Sequence, residues 1–211
     1  MTHENIEIPN TLPAMTLRGV VLFPSAMMPI RIFEPRYREM LNDVLSQDRM
    51  FAIVREREDV SAEEVELELP YSVATAGLVR ISKKHDDGTS FVLLQGLHRV
   101  RVRSILQEEP YRLLDIEPLK TEVEDSISGT RAELMSSLEQ NVKLDGLVTD
   151  EILEMLNPLE DTAVLVDLAA HHVCRDTNLK QKMLEEDSLA ERIRILLNFL
   201  QSENEKLAYL R

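Results

Sequence analysis

The sequence predicts an α+β fold in which a small, mostly antiparallel β-barrel with one inserted helix is followed by an all-α region. Short apolar runs with a spacing of two residues recur as far as Pro118, which indicates strands. After the polar, acidic stretch 121–126 the apolar residues recur every three or four positions, which indicates helices. We therefore expect a flexible lead-in at residues 1–10, a barrel domain at 11–120 and a helical domain at 121–211.

The barrel is predicted to begin with a strand, an apolar loop and a second strand within residues 12–33. Apolar side chains alternate on both sides of the loop, first at Met15 and Leu17 and then at Met28, Ile30 and Ile32. The prolines of this segment exclude a helix and each removes a backbone donor, so we expect edge or bulged strands. Pro35 then begins the inserted helix, because proline is tolerated in the first helical turn.

The remaining strands of the predicted barrel lie between residues 50 and 117. Their ranges are 50–54, 73–81, 89–95, 98–103 and 111–117. Asp87-Gly88 lies between two of these runs and is typical of a β-hairpin turn, so those two strands should pair in antiparallel fashion. With the opening strands the total is about seven, which suits a partly open barrel or pseudo-barrel.

The helical region contains start and stop signals for five helices. Gly146 marks the end of the first helix. The other four helices are predicted to start at Thr149, at Asp161 or Thr162, at Thr177 and at Ser188. The clearest is the last, because Ser188 and Glu191 have the spacing of a capping box. The heptad-like spacing of the final helix is compatible with self-association.

Two stretches of the barrel carry a family resemblance. Leu12-Pro-Ala-Met-Thr-Leu-Arg-Gly-Val-Val-Leu-Phe-Pro24, followed by Met28-Pro-Ile30 and a helix, resembles the amino-terminal domain of Lon proteases. Gly96-Leu-His-Arg-Val-Arg-Val102 is similar to a strand of that domain, and the helical pattern from Asp161 onward is similar to its helical part. The resemblance covers residues 11–211.

This resemblance implies a PUA-like pseudo-barrel followed by helices. It also implies a non-catalytic module that binds unfolded substrate polypeptides or a partner protein. The ATPase and the Ser and Lys peptidase residues of a Lon protease do not occur in this sequence. We therefore expect a stand-alone domain, without an ATPase ring attached to it, that either acts in trans or serves another purpose.

Composition narrows the function classes. The formal net charge is −14, so we expect no binding to nucleic acids or anionic membranes, which needs a net supply of Lys and Arg. Cys174 is the only cysteine, so no internal disulfide can form. No apolar run reaches the roughly 18 residues of a membrane span. Residues 1–7 lack the features of a signal peptide, so we expect a cytoplasmic protein.

The sequence lacks the short motifs that build common catalytic or cofactor sites. Its glycines form neither a dinucleotide fingerprint nor a phosphate loop, and His-Glu-x-x-His and Gly-x-Ser-x-Gly are missing. We therefore expect no catalytic residue and no cofactor. His171, His172 and Cys174 are the one group of metal-ligand types, but they fall on an apolar stripe and at a helix end, so we expect no metal.

The apolar loop at residues 20–28 has two interpretations. It either folds beneath the barrel as core or presents a contact patch for polypeptides. Methionine side chains adapt their shape to different partners, and flanking prolines would hold the loop without an entropic loss on binding. The expected contact residues of such a patch are Phe23, Pro24, Met27, Met28, Arg31 and Tyr37.

A row of arginines forms a second candidate site, at Arg99, Arg101 and Arg103. Val100 and Val102 alternate with them, so the valines should face the core and the arginines the other side. The arginines then either pair with carboxylates on a neighbouring strand, such as Asp115 or Glu117, or bind an anionic ligand. An exposed row would suit an RNA-binding barrel, although the net charge argues against that function.

Two further interpretations stay open. One is a hydrolase whose catalytic residues are dispersed along the chain, which short motifs would not reveal. The other concerns the acidic segment 56–68, which is predicted to be a solvated loop or, as the alternative, an acidic surface for a basic partner.

Overall fold

The computed structural model of the protein describes residues 6–57, 69–123 and 127–210. The chain forms two compact units, divided between Leu119 and Lys120. Each unit has its own buried apolar side chains, and each is described by itself. The acidic segment predicted at residues 56–68 lies, apart from its first two residues, outside the described residues.

The first unit combines six described strands with one helix. In chain order they are β1 (Thr11–Leu17), β2 (Met27–Ile32), α1 (Pro35–Leu45), β3 (Met50–Arg55), β4 (Val73–Lys84), β5 (Ser90–Gln107) and β6 (Arg112–Pro118). The strand order is β2-β5-β4-β3-β1-β6, and additional pairing of β5 with β6 closes the sheet into a barrel. Strands β1 and β3 pair in parallel, whereas the other five pairings of these strands are antiparallel. The predicted mixed, mostly antiparallel barrel with an inserted helix is confirmed.

The barrel interior is filled by small and branched apolar side chains. They are Leu12, Ala14, Met50, Ala52, Val54, Ala74, Ala76, Val100, Leu114 and Ile116. Ile6 and Ile8 pack against this cluster, and the N–H of Ile116 donates to the carbonyl of Asn10. Ile6, Ile8 and Asn10 thus contact the barrel, although residues 6–10 form no strand, and the lead-in at residues 1–10 stays a prediction.

Strand β5 is one long strand where the sequence predicts two, at 89–95 and 98–103. Its register against β4 shifts beside Gly96, so the ladder bends there without ending. Gly96 also lies beneath the loop that joins β1 to β2, since a Cβ added to it would lie 2.1 Å from the carbonyl oxygen of Phe23. The glycine between the two predicted strands therefore permits a close approach of backbone to backbone and does not interrupt the strand.

Helix α1 buries one face, formed by Tyr37, Met40, Leu41 and Val44. The Tyr37 hydroxyl accepts from the N–H of Thr16 and donates to the carbonyl of the same residue, both at 3.2 Å. The Tyr111 hydroxyl donates to the Asp43 carboxylate at 2.7 Å. This hydrogen bond, together with burial, raises the pKa of Tyr111 to about 12. Tyrosine hydroxyls thus join α1 to β1 and to the segment before β6.

The second unit contains five helices in its described part. They are α2 (Ile127–Lys143), α3 (Asp150–Leu156), α4 (Thr162–Val173), α5 (Thr177–Glu185) and α6 (Leu189–Tyr209), as the sequence predicts in number and order. None of the helices in residues 6–57, 69–123 and 127–210 has the length and apolar character needed to cross a membrane.

The helix caps agree with the sequence signals in part. Thr149, Asp161 and Ser188 cap α3, α4 and α6 with their side-chain oxygens. Asp176, and not Thr177, caps α5, because its carboxylate accepts from two backbone N–H groups of the first turn. The capping box of α6 forms only on the Ser188 side, since the Glu191 carboxylate binds Arg194 instead.

Buried polar groups fix how the helices of the second unit pack. Asn141 Nδ2 donates to Asn204 Oδ1 at 2.6 Å, which joins α2 to α6. Arg192 on α6 is fully buried, and its Nη1 donates to the Asp167 carboxylate of α4 at 2.6 Å. A different packing would leave these groups without partners, at a cost of several kcal/mol for the buried charges. The polar network therefore specifies one arrangement of the helices.

The ligand types His171, His172 and Cys174 do not converge on an ion site. Within the described ranges, no group of three or more His, Cys, Asp or Glu side chains could hold a metal ion. Lys180 Nζ donates to the carbonyl of His171 at 2.6 Å. Burial, with smaller contributions from Lys180 and His172, lowers the pKa of His171 to about 4. His171 is therefore neutral in the folded protein at neutral pH.

We predict that Gly96→Ala destabilises the protein by roughly 1–3 kcal/mol, because the new methyl group meets a backbone carbonyl that cannot rotate away. Urea unfolding followed by circular dichroism measures this change. The control is Gly19→Asn, because Gly19 has a φ of +62° and no atom within 4 Å of an added Cβ, and asparagine tolerates that conformation. Equal losses in the two variants would contradict the close approach at Gly96.

We also predict that His171 makes the protein less stable as the pH falls from 6.5 to about 4. In this window the unfolded chain binds a proton at this histidine and the folded protein does not, so the free energy of unfolding decreases as the pH falls. His171→Gln removes this titration, and its free energy of unfolding should depend less on pH over the window. Urea unfolding at several pH values measures both slopes, and identical slopes would refute the prediction.

Candidate functional site

The apolar loop between β1 and β2 is core for most of its length. Val21, Leu22, Phe23 and Ala26 are buried, and Phe23 is fully so. Tyr37 is also buried, at 3% exposure. Neither aromatic side chain can contact a polypeptide, which corrects the contact patch expected at Phe23 and Tyr37. Residues 21–26 of the loop therefore belong to the core, which is the first of the two interpretations of the loop.

Backbone hydrogen bonds anchor the loop to β5 and explain why Phe23 turns inward. The N–H of Ser25 donates to the carbonyl of Gly96, and the N–H of Gly96 donates to the carbonyl of Ala26, both at 2.9 Å. The Thr75 hydroxyl on β4 donates to the carbonyl of Leu22 at 2.6 Å. After this anchored turn, in which Pro24 is half-buried, β2 begins with an outward-facing Met27.

One face of the sheet at β2, β5 and β4 is open to solvent. Residues directly opposite on paired strands point to the same face, as do residues two apart on one strand. The register places Pro29 and Ile81 opposite Leu93, and places Arg31 and Lys83 opposite Phe91. Met27 precedes Pro29 by two positions. We call this set the sheet face, and it consists of Met27, Pro29, Arg31, Ile81, Lys83, Phe91 and Leu93.

The sheet face combines exposed apolar groups with cations. Met27 is 40% exposed, Ile81 52% and Phe91 41%. Lys83 is exposed, and the Arg31 side chain, at 70% exposure, lies 3.6 Å from the Asp87 carboxylate. An ion pair this exposed contributes little to stability, so Arg31 can exchange it for another anion at small cost. The surface therefore offers apolar contact area beside positive charge.

The strands that carry the sheet face are held rigidly from behind. Val79, Val92, Leu94 and Ile32 on the opposite face are buried, and Met28 on that face is half-buried. Among the described residues β2 pairs with β5 on one side and is the edge strand of the sheet. Proline and charged residues in an edge strand protect it from pairing with another strand. The edge strand β2 contains both, at Pro29 and Arg31. The structure therefore favours contacts on the face over strand addition at the edge.

The predicted arginine row is not continuous. Arg99 is 2% exposed and pairs with Thr75 on the neighbouring strand β4. The Thr75 hydroxyl donates to the carbonyl of Leu22, so the β1–β2 loop lies over this part of the sheet. Arg101 and Arg103 are exposed. Arg103 Nε lies 3.7 Å from the Glu117 carboxylate and its Nη2 donates to a backbone carbonyl at 3.3 Å. An exposed row of three guanidinium groups, the condition for binding an anionic ligand, is therefore not present, because the loop covers the part of the sheet that holds Arg99.

Sequence reasoning missed most of the sheet face. Of the residues predicted to form a contact patch, only Met27 and Arg31 belong to it. Phe91 and Leu93 were not predicted to be exposed because residues 91–94 are apolar at every position, so alternation cannot show which side chains point outward. The Asp87-Gly88 signal does not supply the register either, because a two-residue turn would place Lys83 opposite Val92, whereas the connection has three residues and places Lys83 opposite Phe91.

The fold is similar to two solved structures. The N-terminal domain of the Mycobacterium avium complex Lon protease aligns with a TM-score of 0.72 at 16% identity, covering 90% of this chain and 98% of that one. The Lon N-terminal domain protein from Xanthomonas campestris aligns with a TM-score of 0.65 at 19% identity, covering 89% and 97% of the two chains. At these identities the likeness concerns the fold.

Sequence comparison identifies the family. The Lon protease of Brevibacillus choshinensis is 30% identical over 198 residues, which is 93% of this chain, and Lon protease 2 of Thermus thermophilus is 30% identical over 212 residues, again 93%. The chain spans about a quarter of the length of these relatives, 25% and 24%. The family model described as the ATP-dependent protease La (LON) substrate-binding domain matches residues 11–202. The chain therefore belongs to the LON substrate-binding domain family.

Proposed function

We propose that this chain is a non-catalytic module that binds segments of unfolded or partner polypeptides on the sheet face. The observation that carries the proposal is the cluster of Met27, Ile81 and Phe91, each at least 40% exposed, on one rigidly supported surface. Soluble proteins seldom leave large apolar side chains grouped in solvent without an interaction to make. The family to which the chain belongs is a substrate-binding domain, which supports the same function.

The chemistry of the sheet face suits weak contacts with many sequences. Full burial of one large apolar side chain contributes about 1.5–3 kcal/mol. Three side chains that are already half-buried would therefore add only a few kcal/mol in total, which corresponds to reversible binding. The flexible Met27 can adapt to partners of different shape. Arg31 and Lys83 favour segments that carry acidic residues next to apolar ones.

The alternative functions have less support. RNA binding through the arginine row would need three exposed guanidinium groups, but Arg99 is buried and Arg103 lies beside Glu117. The net charge of −14 also opposes binding to phosphates. A hydrolase with dispersed residues has no motif in its favour. A cytoplasmic location and self-association through α6 stay predictions.

We predict that Ile81→Asp and Phe91→Asp each weaken polypeptide binding about tenfold or more, because a carboxylate in the apolar contact would have to be desolvated. Fluorescence anisotropy with labelled, reduced and carboxymethylated α-lactalbumin measures the dissociation constant. Both side chains are exposed, so circular dichroism and the melting temperature should change little.

The matched control is Leu106→Asp, because Leu106 is 54% exposed and lies at the other end of β5. This control should bind like the unmodified protein. Unchanged binding in both sheet-face variants, or an equal loss in the control, would show that polypeptides do not bind at this face.

A further inference from the structure

The helical unit contains an open groove that the sheet face does not involve. The groove has a volume of about 710 Å³ and lies between α5, α6 and the segment that follows α2. We call the apolar residues of its lining the floor: Leu147, Leu179 and Phe199 are half-buried, and Ile195 is buried. Ile195 and Phe199 are four residues apart, so a single face of α6 forms one wall. The groove can therefore accept several apolar side chains.

Positive charge surrounds this floor. The cationic residues of the lining are Arg175, Lys182, Arg194 and Lys206. Arg194 binds Glu191, and Lys206 donates to the Glu203 carboxylate at 2.7 Å. The other two cations, Arg175 and Lys182, are exposed and have no ion-pair partner among the described residues of the chain.

The acidic residues near the groove are already engaged. The Asp176 carboxylate accepts from the backbone N–H groups of Asn178 and Leu179, and so caps α5. The lining holds four cations and two carboxylates, Asp176 and Glu203, and the Glu203 carboxylate accepts from Lys206. Arg175 and Lys182 are therefore left to attract an acidic partner.

The walls of the groove determine the conformation of that partner. Both walls are helices, whose backbone groups bond within each helix and offer no edge for strand pairing. Only those N–H and C=O groups of an extended segment that face the walls would lose water without gaining a partner, at about 1–3 kcal/mol for each group that becomes buried. A helical segment satisfies its own backbone. The α6 wall runs from Arg194 to Lys206, about 18 Å at 1.5 Å per residue, which is long enough for about three turns of a second helix.

We propose that this groove binds an amphipathic α-helix of a partner protein. The apolar stripe of that helix packs on the half-buried Phe199 and Leu179, and Glu or Asp residues beside the stripe pair with Arg175 and Lys182. This site shares no residue with the sheet face. It binds helical segments, whereas the sheet face binds flexible ones.

The test uses a fluorescent synthetic peptide of about five helical turns, with leucines along one face and glutamates beside them, and the full chain. Anisotropy should show saturable binding that weakens as salt is raised, because exposed charge pairs are screened. Lys182→Glu and Phe199→Ala should each weaken binding about tenfold or more. The sheet face also favours acidic residues next to apolar ones, so every titration is repeated in the Phe91→Asp background, in which that face is blocked. In this background Lys182→Glu and Phe199→Ala should still weaken binding, and the matched control Lys84→Glu on β4 should not.

Charge exchange separates this proposal from a general effect on folding. A peptide with lysines in place of the glutamates should bind Lys182→Glu more tightly than it binds the unmodified protein. Lys182 is exposed, so this variant keeps the fold even if Phe199→Ala, at a half-buried position, does not. The proposal is overturned if a scrambled peptide of the same composition binds equally well, if Lys182→Glu leaves binding unchanged, or if single-stranded RNA binds this groove more tightly than the peptide.

Discussion

The contact between the β1–β2 loop and Gly96 determines where this protein exposes apolar surface. Because Gly96 has no side chain, the backbone of the loop reaches β5 and forms two hydrogen bonds of 2.9 Å with it. Phe23 then turns into the core and Met27 leaves it at the start of β2. The turn between Phe23 and Met27 therefore places the first of these residues in the core and the second on the sheet face.

The two surfaces that we propose for binding differ in geometry. The sheet face is flat, its side chains stand on strands packed from behind, and its edge strand is protected by Pro29 and Arg31. The helical unit instead has a groove between helices whose positions are specified by buried pairs such as Arg192 with Asp167. A flat surface tolerates many sequences, whereas a walled groove with fixed charges is more selective. If both proposals hold, the chain contacts an unfolded segment and a structured partner without sharing residues between them.

The sequence predicted the fold better than the site. Spacing of apolar residues reveals strands and helices because one side of each element is buried, and caps such as Asp161 and Ser188 act locally. Whether a strand residue is exposed depends on which face of the strand packs against the core. A run that is apolar throughout, such as residues 91–94, does not show which face that is. The loop that holds Phe23 was predicted to be either core or a contact patch, and Phe23 is core. Arg99 was predicted to lie on the side of its strand opposite Val100, and it is buried there beneath a loop that is distant in sequence.

The most direct test of this account is methyl NMR of the full chain during titration with an unfolded polypeptide. We expect the methyl resonances of Met27 and Ile81 to shift with a common binding constant, since both groups lie on the sheet face. The resonances of the buried Met40 and of Met155, which is 36% exposed in the helical unit, should stay in place. Shifts confined to the helical unit, or no shift at Met27 and Ile81 at saturation, would contradict the assignment of the sheet face as the polypeptide-binding surface.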